Sequence, residues 1–119
     1  MKEISQTLIK LQKSKFRRGF DLEESDKAYI DKKGLEKIKE DAENFLVQKI
    51  KIRPKNDGRQ TPWKGHPTFI AQHATATCCR KCMEKWYGID KRKTLSDEEI
   101  RFFKELIVEW IEWRIDYGT

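Results

Sequence analysis

The sequence predicts a mostly α fold: a single compact domain of about five helices, with a long ordered loop and at most a minor strand pair. Three observations carry that expectation. Apolar residues recur at helical spacing along the chain, most clearly in Ile100, Phe103, Leu106, Ile107, Trp110 and Ile111. Ser96 with Glu99 forms a capping-box pattern, with Leu95 and Ile100 placed as its hydrophobic staple. Finally, 119 residues with four Trp, three Tyr and six Phe can bury roughly two thirds of their unfolded surface, so the core needs no metal or disulfide to form.

In order along the chain, the first helix is expected over residues 4–18, where Ile4, Leu8 and Leu11 follow one stripe and Gly19 stops it. A second, over residues 21–33, gathers Asp21, Glu23 and Glu24 in its first turn, where the helix dipole favours acids, and Gly34 ends it. The third, over residues 35–50, places Leu35, Ile38, Ala42, Phe45 and Leu46 on one face. Pro54 blocks its continuation, and the alternation Lys49-Ile50-Lys51-Ile52-Arg53 suggests a helix fraying into an extended segment.

Residues 54–68 show no periodicity. Asn56-Asp57-Gly58 reads as a turn, and Pro62 and Pro67 hold Thr61 and His66 extended. Trp63 and the apolar run after Pro67 argue that this loop packs on the domain, and ordered loops of such length are often functional. Phe69-Ile70-Ala71 fits either a strand or a helix lead-in. A fourth helix follows over residues 78–87, with Cys79, Cys82, Met83 and Trp86 on one face and Gly88 as its cap. The last, over residues 97–116, is apolar on so wide an arc that it is either covered by the others or buries a face in a partner. The chain thus reads as one domain, residues 1–119: a helical N-terminal region over residues 1–53, a loop over residues 54–68, and a Cys/His motif with the final helices over residues 69–119.

Charged residues make up 39% of the chain, but the aromatic content excludes a disordered one. No apolar run approaches the roughly 20 residues that span a bilayer, so no membrane partner is expected. Residues 1–16 carry acids and lysines where a signal peptide needs an unbroken apolar core. The expected location is cytoplasmic, where thiols stay reduced; an odd count of three cysteines also argues against a disulfide framework.

The net charge of +6 is uneven. Residues 49–64 hold six bases against Asp57 alone, and residues 13–20 interleave Lys13, Lys15, Arg17 and Arg18 with Phe16 and Phe20. Bases beside aromatics suit phosphates and stacked nucleobases. Lys51, Arg53, Lys55, Arg59, Lys64 and Arg80 are therefore expected contacts for nucleic acid or another anionic partner, with a solvated surface as the plain alternative. The Trp-rich last helix is an expected surface for a homo-oligomer.

Chemistry concentrates in residues 66–87, which contain both histidines and all three cysteines. Cys79-x-x-Cys82 on a helical turn puts two sulfurs on one face, the geometry by which a helix gives two thiolates to zinc. A tetrahedral site of His73, Cys79 and Cys82 with Cys78 or His66 follows, with zinc as the expected metal and iron fitting the same donors. A second reading is a thiol- or metal-dependent enzyme, with Cys79 as nucleophile at a helix N-terminus and His73 or His66 as base. A redox pair, Cys79 with Cys82, lacks the βαβ context that gives such a pair its meaning. The zinc deaminase pattern fails because His66 is followed by Pro67 and Thr68, with no Glu. Buried cysteines acting as small hydrophobes are the remaining alternative.

Asn56-Asp57-Gly58-Arg59-Gln60-Thr61-Pro62, Gly65-His66-Pro67, and Ile70 to Arg80 with Cys82 form a long, idiosyncratic motif. Together with Ser14-Lys15-Phe16, Lys85-Trp86 and the aromatic last helix, it resembles a bacterial family, domain of unknown function 4186, over nearly the whole chain. The resemblance implies that the Asn56-Asp57-Gly58 loop, the Gly65-His66-Pro67 turn and the group His73, Cys78, Cys79 and Cys82 belong to one motif. Two positions depart from the family pattern: Tyr87 stands where relatives carry His after the Trp, and Asp41 where they carry His before an Ala.

Overall fold

A computed structural model describes residues 3–117. Among them are seven α-helices and no strand: α1 Ile4–Gln12, α2 Lys15–Arg18, α3 Glu24–Lys33, α4 Leu35–Phe45, α5 Pro67–Ala74, α6 Arg80–Tyr87 and α7 Asp97–Tyr117. The mostly α expectation holds, with two more helices than the sequence suggests.

The first extra helix comes from a break in the expected helix 4–18. The Ser14 hydroxyl accepts the Arg17 amide at 3.2 Å and so caps a new turn, α2, whose Arg17 side chain is turned into the interior. The second is α5. Pro67 occupies the first helical position, where its missing N–H costs nothing, and His66 precedes it in extended geometry (φ −159°, ψ 139°) with its ring accepting the Thr68 amide. Phe69-Ile70-Ala71 is therefore helical.

Three expected helix ends are where the sequence places them. Gly34 (φ 82°) separates α3 from α4, and Gly88 (φ 70°) ends α6 in the left-handed conformation that glycine adopts without strain. Ser96 and Glu99 exchange both capping hydrogen bonds at the start of α7. The end of α4 differs from expectation. Instead of fraying into extended chain, it widens into a π turn, Leu46–Ile50, closed by Lys51 N donating to Leu46 O at 2.7 Å. Leu46 and Ile50 both face the core, and that burial favours keeping the chain coiled.

The 21-residue α7 is the central element. It packs against α1, α4, α5 and the π turn, so its wide apolar arc is largely covered within the chain. Phe103, Leu106, Ile107, Trp110 and Ile111 are all sealed from solvent. Helix α5 lies against α7 with nearly every residue buried, and it carries the motif. No helix among the described residues is long and apolar enough to cross a membrane.

Candidate metal centre

Between α5 and α6 the chain makes a fully buried turn, Thr75-Ala76-Thr77, with Ala76 at φ 58°. A buried turn must find partners for its backbone. Here the Thr75 hydroxyl donates to Ala71 O at 2.7 Å, the Gln72 amide group to Thr77 O at 3.2 Å, and the Thr77 amide to Gln72 O at 2.8 Å. This turn delivers Cys78 and Cys79 to the start of α6. Cys79 is the N-cap, not a member of the helix, and its sulfur accepts the Cys82 amide at 3.4 Å.

The result is a group of three sulfurs. Cys78, Cys79 and Cys82 have their Sγ atoms within 4.8 Å of one another, and the Cys78–Cys82 separation is 3.7 Å. Cys78 and Cys79 are buried and Cys82 is half-buried. Sulfurs this close can bind a metal ion.

Arg17, from α2, completes the surroundings. Its guanidinium donates through Nη1 to His73 O at 2.6 Å and lies 4.0 Å from Cys78 Sγ; Nη2 donates to Cys82 Sγ at 3.3 Å. The Cys82 thiol is held far below the usual thiol range by hydrogen bonds from Cys78 and Cys79, then by Arg17. Cys78 is pushed up, because it donates to both other sulfurs and is buried. For Cys79, a hydrogen bond from Cys78 pulls its pKa down, but the one it makes with Cys82 and its burial raise it on balance. The three thiols thus share their hydrogen bonds unequally, and the hydrogen bonds together with the guanidinium favour the charged form at Cys82.

The loop expected at residues 54–68 returns against this centre. The Thr61 hydroxyl donates to Cys78 O at 2.7 Å. Asp57, a turn residue by its sequence context, does more: its Oδ1 accepts the Arg80 backbone amide at 2.9 Å, anchoring the first turn of α6, and Oδ2 accepts Arg53 Nε at 3.0 Å. Gln60 also donates to Asp57.

The two histidines are placed apart from the sulfur group. His73 Nε2 lies 3.2 Å from Thr61 O and 3.1 Å from Pro62 O, so that nitrogen carries the proton and donates. Burial lowers the His73 pKa, with the Pro62 and Thr61 carbonyls opposing, so the ring is held neutral. The indole of Trp63 stacks on it at 3.8 Å. His66 sits at the other end of α5. Its Nδ1 accepts the Thr68 amide and its Nε2 is 3.0 Å from Asp41 Oδ2, within a ring of Tyr29, Phe45 and Phe69. The two positions expected from the resemblance to differ divide the same way: Asp41 pairs with His66, and Tyr87 donates its hydroxyl to Thr75 O on the turn leading to the thiols.

Among the expected anion contacts, Lys55, Arg59 and Lys64 are exposed, Lys51 is half-buried and Arg53 is committed to Asp57. Arg80 is a correction. It is fully buried, and its guanidinium donates to Ile50, Lys51 and Asp90 carbonyls, so it ties three segments together and offers nothing to an anion outside. Arg17 and Asp57 are the residues hardest to find from sequence. Arg17 sits among like charges, and only its burial beside His73, 56 residues away, sets it apart.

A family model described as Domain of unknown function (DUF4186) matches residues 5–112. No solved structure matches the chain.

Proposed function

The chain belongs to the family Domain of unknown function (DUF4186), and from the site itself we propose that it binds zinc through Cys78, Cys79 and Cys82, with the fourth position open to a donor from outside the triad. The observation that carries this is the sulfur geometry. A tetrahedron with zinc–sulfur bonds of about 2.3 Å has edges of roughly 3.8 Å. The Cys78–Cys82 separation of 3.7 Å matches such an edge. Charge supports it as well: three thiolates and a divalent ion leave one net negative charge, and the Arg17 guanidinium lies against two of the sulfurs to offset it. His66 spends both ring nitrogens on the Thr68 amide and Asp41, and neither histidine joins the three sulfurs that lie close enough to hold one ion, which argues for three protein ligands, the count typical of sites that exchange their fourth ligand.

The test is elemental analysis of untagged protein purified without chelator, with thiols counted before and after chelation. Near one zinc per chain, with thiols unmasked on its removal and zinc lost in Cys82→Ser, is the expected result. Absent metal and three freely titrating thiols would overturn it.

A second reading takes Cys82 as a nucleophile in a thiol enzyme, favoured by Arg17 Nη2 at 3.3 Å from its sulfur. It is separated from the first by the same samples: metal-free protein as isolated, with Cys82 alone alkylating fast below neutral pH, supports this reading.

A further inference from the structure

Trp63 is 61% exposed and Phe16 56%, yet neither is loose. One face of the Trp63 indole lies on the buried His73 ring at 3.8 Å and 8°. That imidazole is pinned by two carbonyls, so it forms a rigid backing. Phe20 runs nearly parallel to both, 6.1 Å from Trp63 and 5.7 Å from His73, and Phe16 meets Phe20 edge-on at 5.2 Å. The result is a contiguous aromatic strip whose two ends, Trp63 and Phe16, face solvent.

Cations border the strip. Lys15 neighbours Phe16 in the chain, Lys64 neighbours Trp63, Lys13 precedes α2 and Arg18 is its last residue. All four are exposed, and none of them forms an ion pair with an acid among the described residues. Residues 13–20 contain no acid, and Asp21 spends one carboxylate oxygen on the Leu22 amide.

We infer that this strip is a stacking platform for the unpaired bases of a single-stranded nucleic acid, with Lys13, Lys15, Arg18 and Lys64 receiving the phosphates. Flat, exposed rings bordered by unpaired cations are what base stacking and backbone tracking require together. A duplex keeps its base faces covered and gains nothing from Trp63. A second copy of the chain would bring the same four cations face to face, which disfavours self-association through this surface. The inference stands apart from the metal, since stacking and phosphate contact use none of the thiols.

The experiment titrates the protein into a short dye-labelled oligothymidylate, and into a labelled duplex of matching length, while following fluorescence anisotropy at low and physiological salt. Binding of the single strand is expected, with affinity falling steeply as salt rises. Trp63→Ala should weaken binding by roughly 5- to 100-fold, Trp63→Phe by less, and Lys64→Glu should flatten the salt dependence. Trp63 is mostly exposed, so these variants keep the fold, which circular dichroism checks. The proposal is overturned by any of three results: no binding at low salt, equal affinity for duplex and single strand, or an affinity that ignores Trp63→Ala. Light scattering that shows Trp63-dependent dimers in place of oligonucleotide binding would overturn it in favour of a second copy.

Discussion

The two ends of α5 carry two imidazoles, His66 and His73, and the polar groups around them are settled in opposite ways. At the His66 end the network is closed. Nδ1 accepts Thr68 N, Nε2 meets Asp41, and the Asp41 oxygens also take the Tyr29 hydroxyl at 2.9 Å and Lys37 at 3.1 Å. Each polar side-chain group of His66, Asp41, Tyr29 and Lys37 meets a partner there, and this part-buried network holds α3, α4 and α5 in register. At the His73 end three sulfurs face one another, and apart from their own thiol protons they are served only by the Cys82 amide, at Cys79, and by one guanidinium, at Cys78 and Cys82. Convergent sulfurs that can give up those protons are where a cation can take their place. Both ends supply residue types that bind metals, but the way their polar groups are partnered separates the structural cluster from the candidate metal site.

The sharpest way to break this contrast is Arg17→Met. Arg17 is buried, and losing it leaves His73 O with only the Ala76 amide at 3.5 Å and the Cys82 sulfur without its cation. A loss of about 3 kcal/mol is expected in denaturant midpoints, from the weakly partnered carbonyl and the lost hydrogen bonds of a charged group. Because Arg17 is among the groups that lower the Cys82 pKa, its removal should raise that pKa, so the pH profile for alkylation of metal-free protein should move to higher pH. If that profile stays where it is in the native protein, Arg17 supports the fold but not the centre, and the distinction between the two ends of α5 weakens.

Asp41→Asn probes the closed end, with a smaller expected effect. Burial alone would raise the Asp41 carboxyl pKa, but hydrogen bonds from His66, Tyr29 and Lys37 outweigh it and hold it below the usual carboxylate range. A depressed folded pKa contributes stability that is fully present above the unfolded value of about 3.9 and is lost as pH falls through the folded one. The variant should therefore be less stable by about 2 kcal/mol at neutral pH, with the gap closing as pH falls below about 4. Urea midpoints across that range measure it. Zinc content and thiol reactivity should stay native; a change in either would mean that the two ends are coupled through α5.

How much of this contrast is legible in the sequence follows the same division. Local signals do well: Gly34, Gly88 and the Ser96–Glu99 box mark helix ends because capping is decided within four residues. The Cys79-x-x-Cys82 spacing places two sulfurs together for the same reason. Pro67 carries two local signals that compete, since it holds His66 extended and also suits the first position of a helix; α5 realises both. What the sequence withholds is contact at long range. Arg17 looks like any base in a basic run until Ser14 breaks the helix and turns it inward, and Asp57 looks like a turn former until the loop folds back onto α6. The likeness of His66 and His73 in sequence conceals partners contributed by α4 to one and by the loop to the other.

A last, smaller perturbation asks whether the thiol centre responds to stability in general. Ser96 caps α7 on the surface, where its hydroxyl accepts the Glu99 amide at 3.1 Å, and it belongs to neither cluster. Replacing a capping serine by alanine costs about 1 kcal/mol. Ser96→Ala should lower the melting temperature accordingly while leaving zinc content and alkylation rates native. That outcome would show that the effects of Arg17→Met on the thiols arise from the guanidinium at the sulfurs. If Ser96→Ala also exposed the thiols, the centre would be tracking global unfolding, and the openness of the His73 end would reflect marginal stability instead of chemistry.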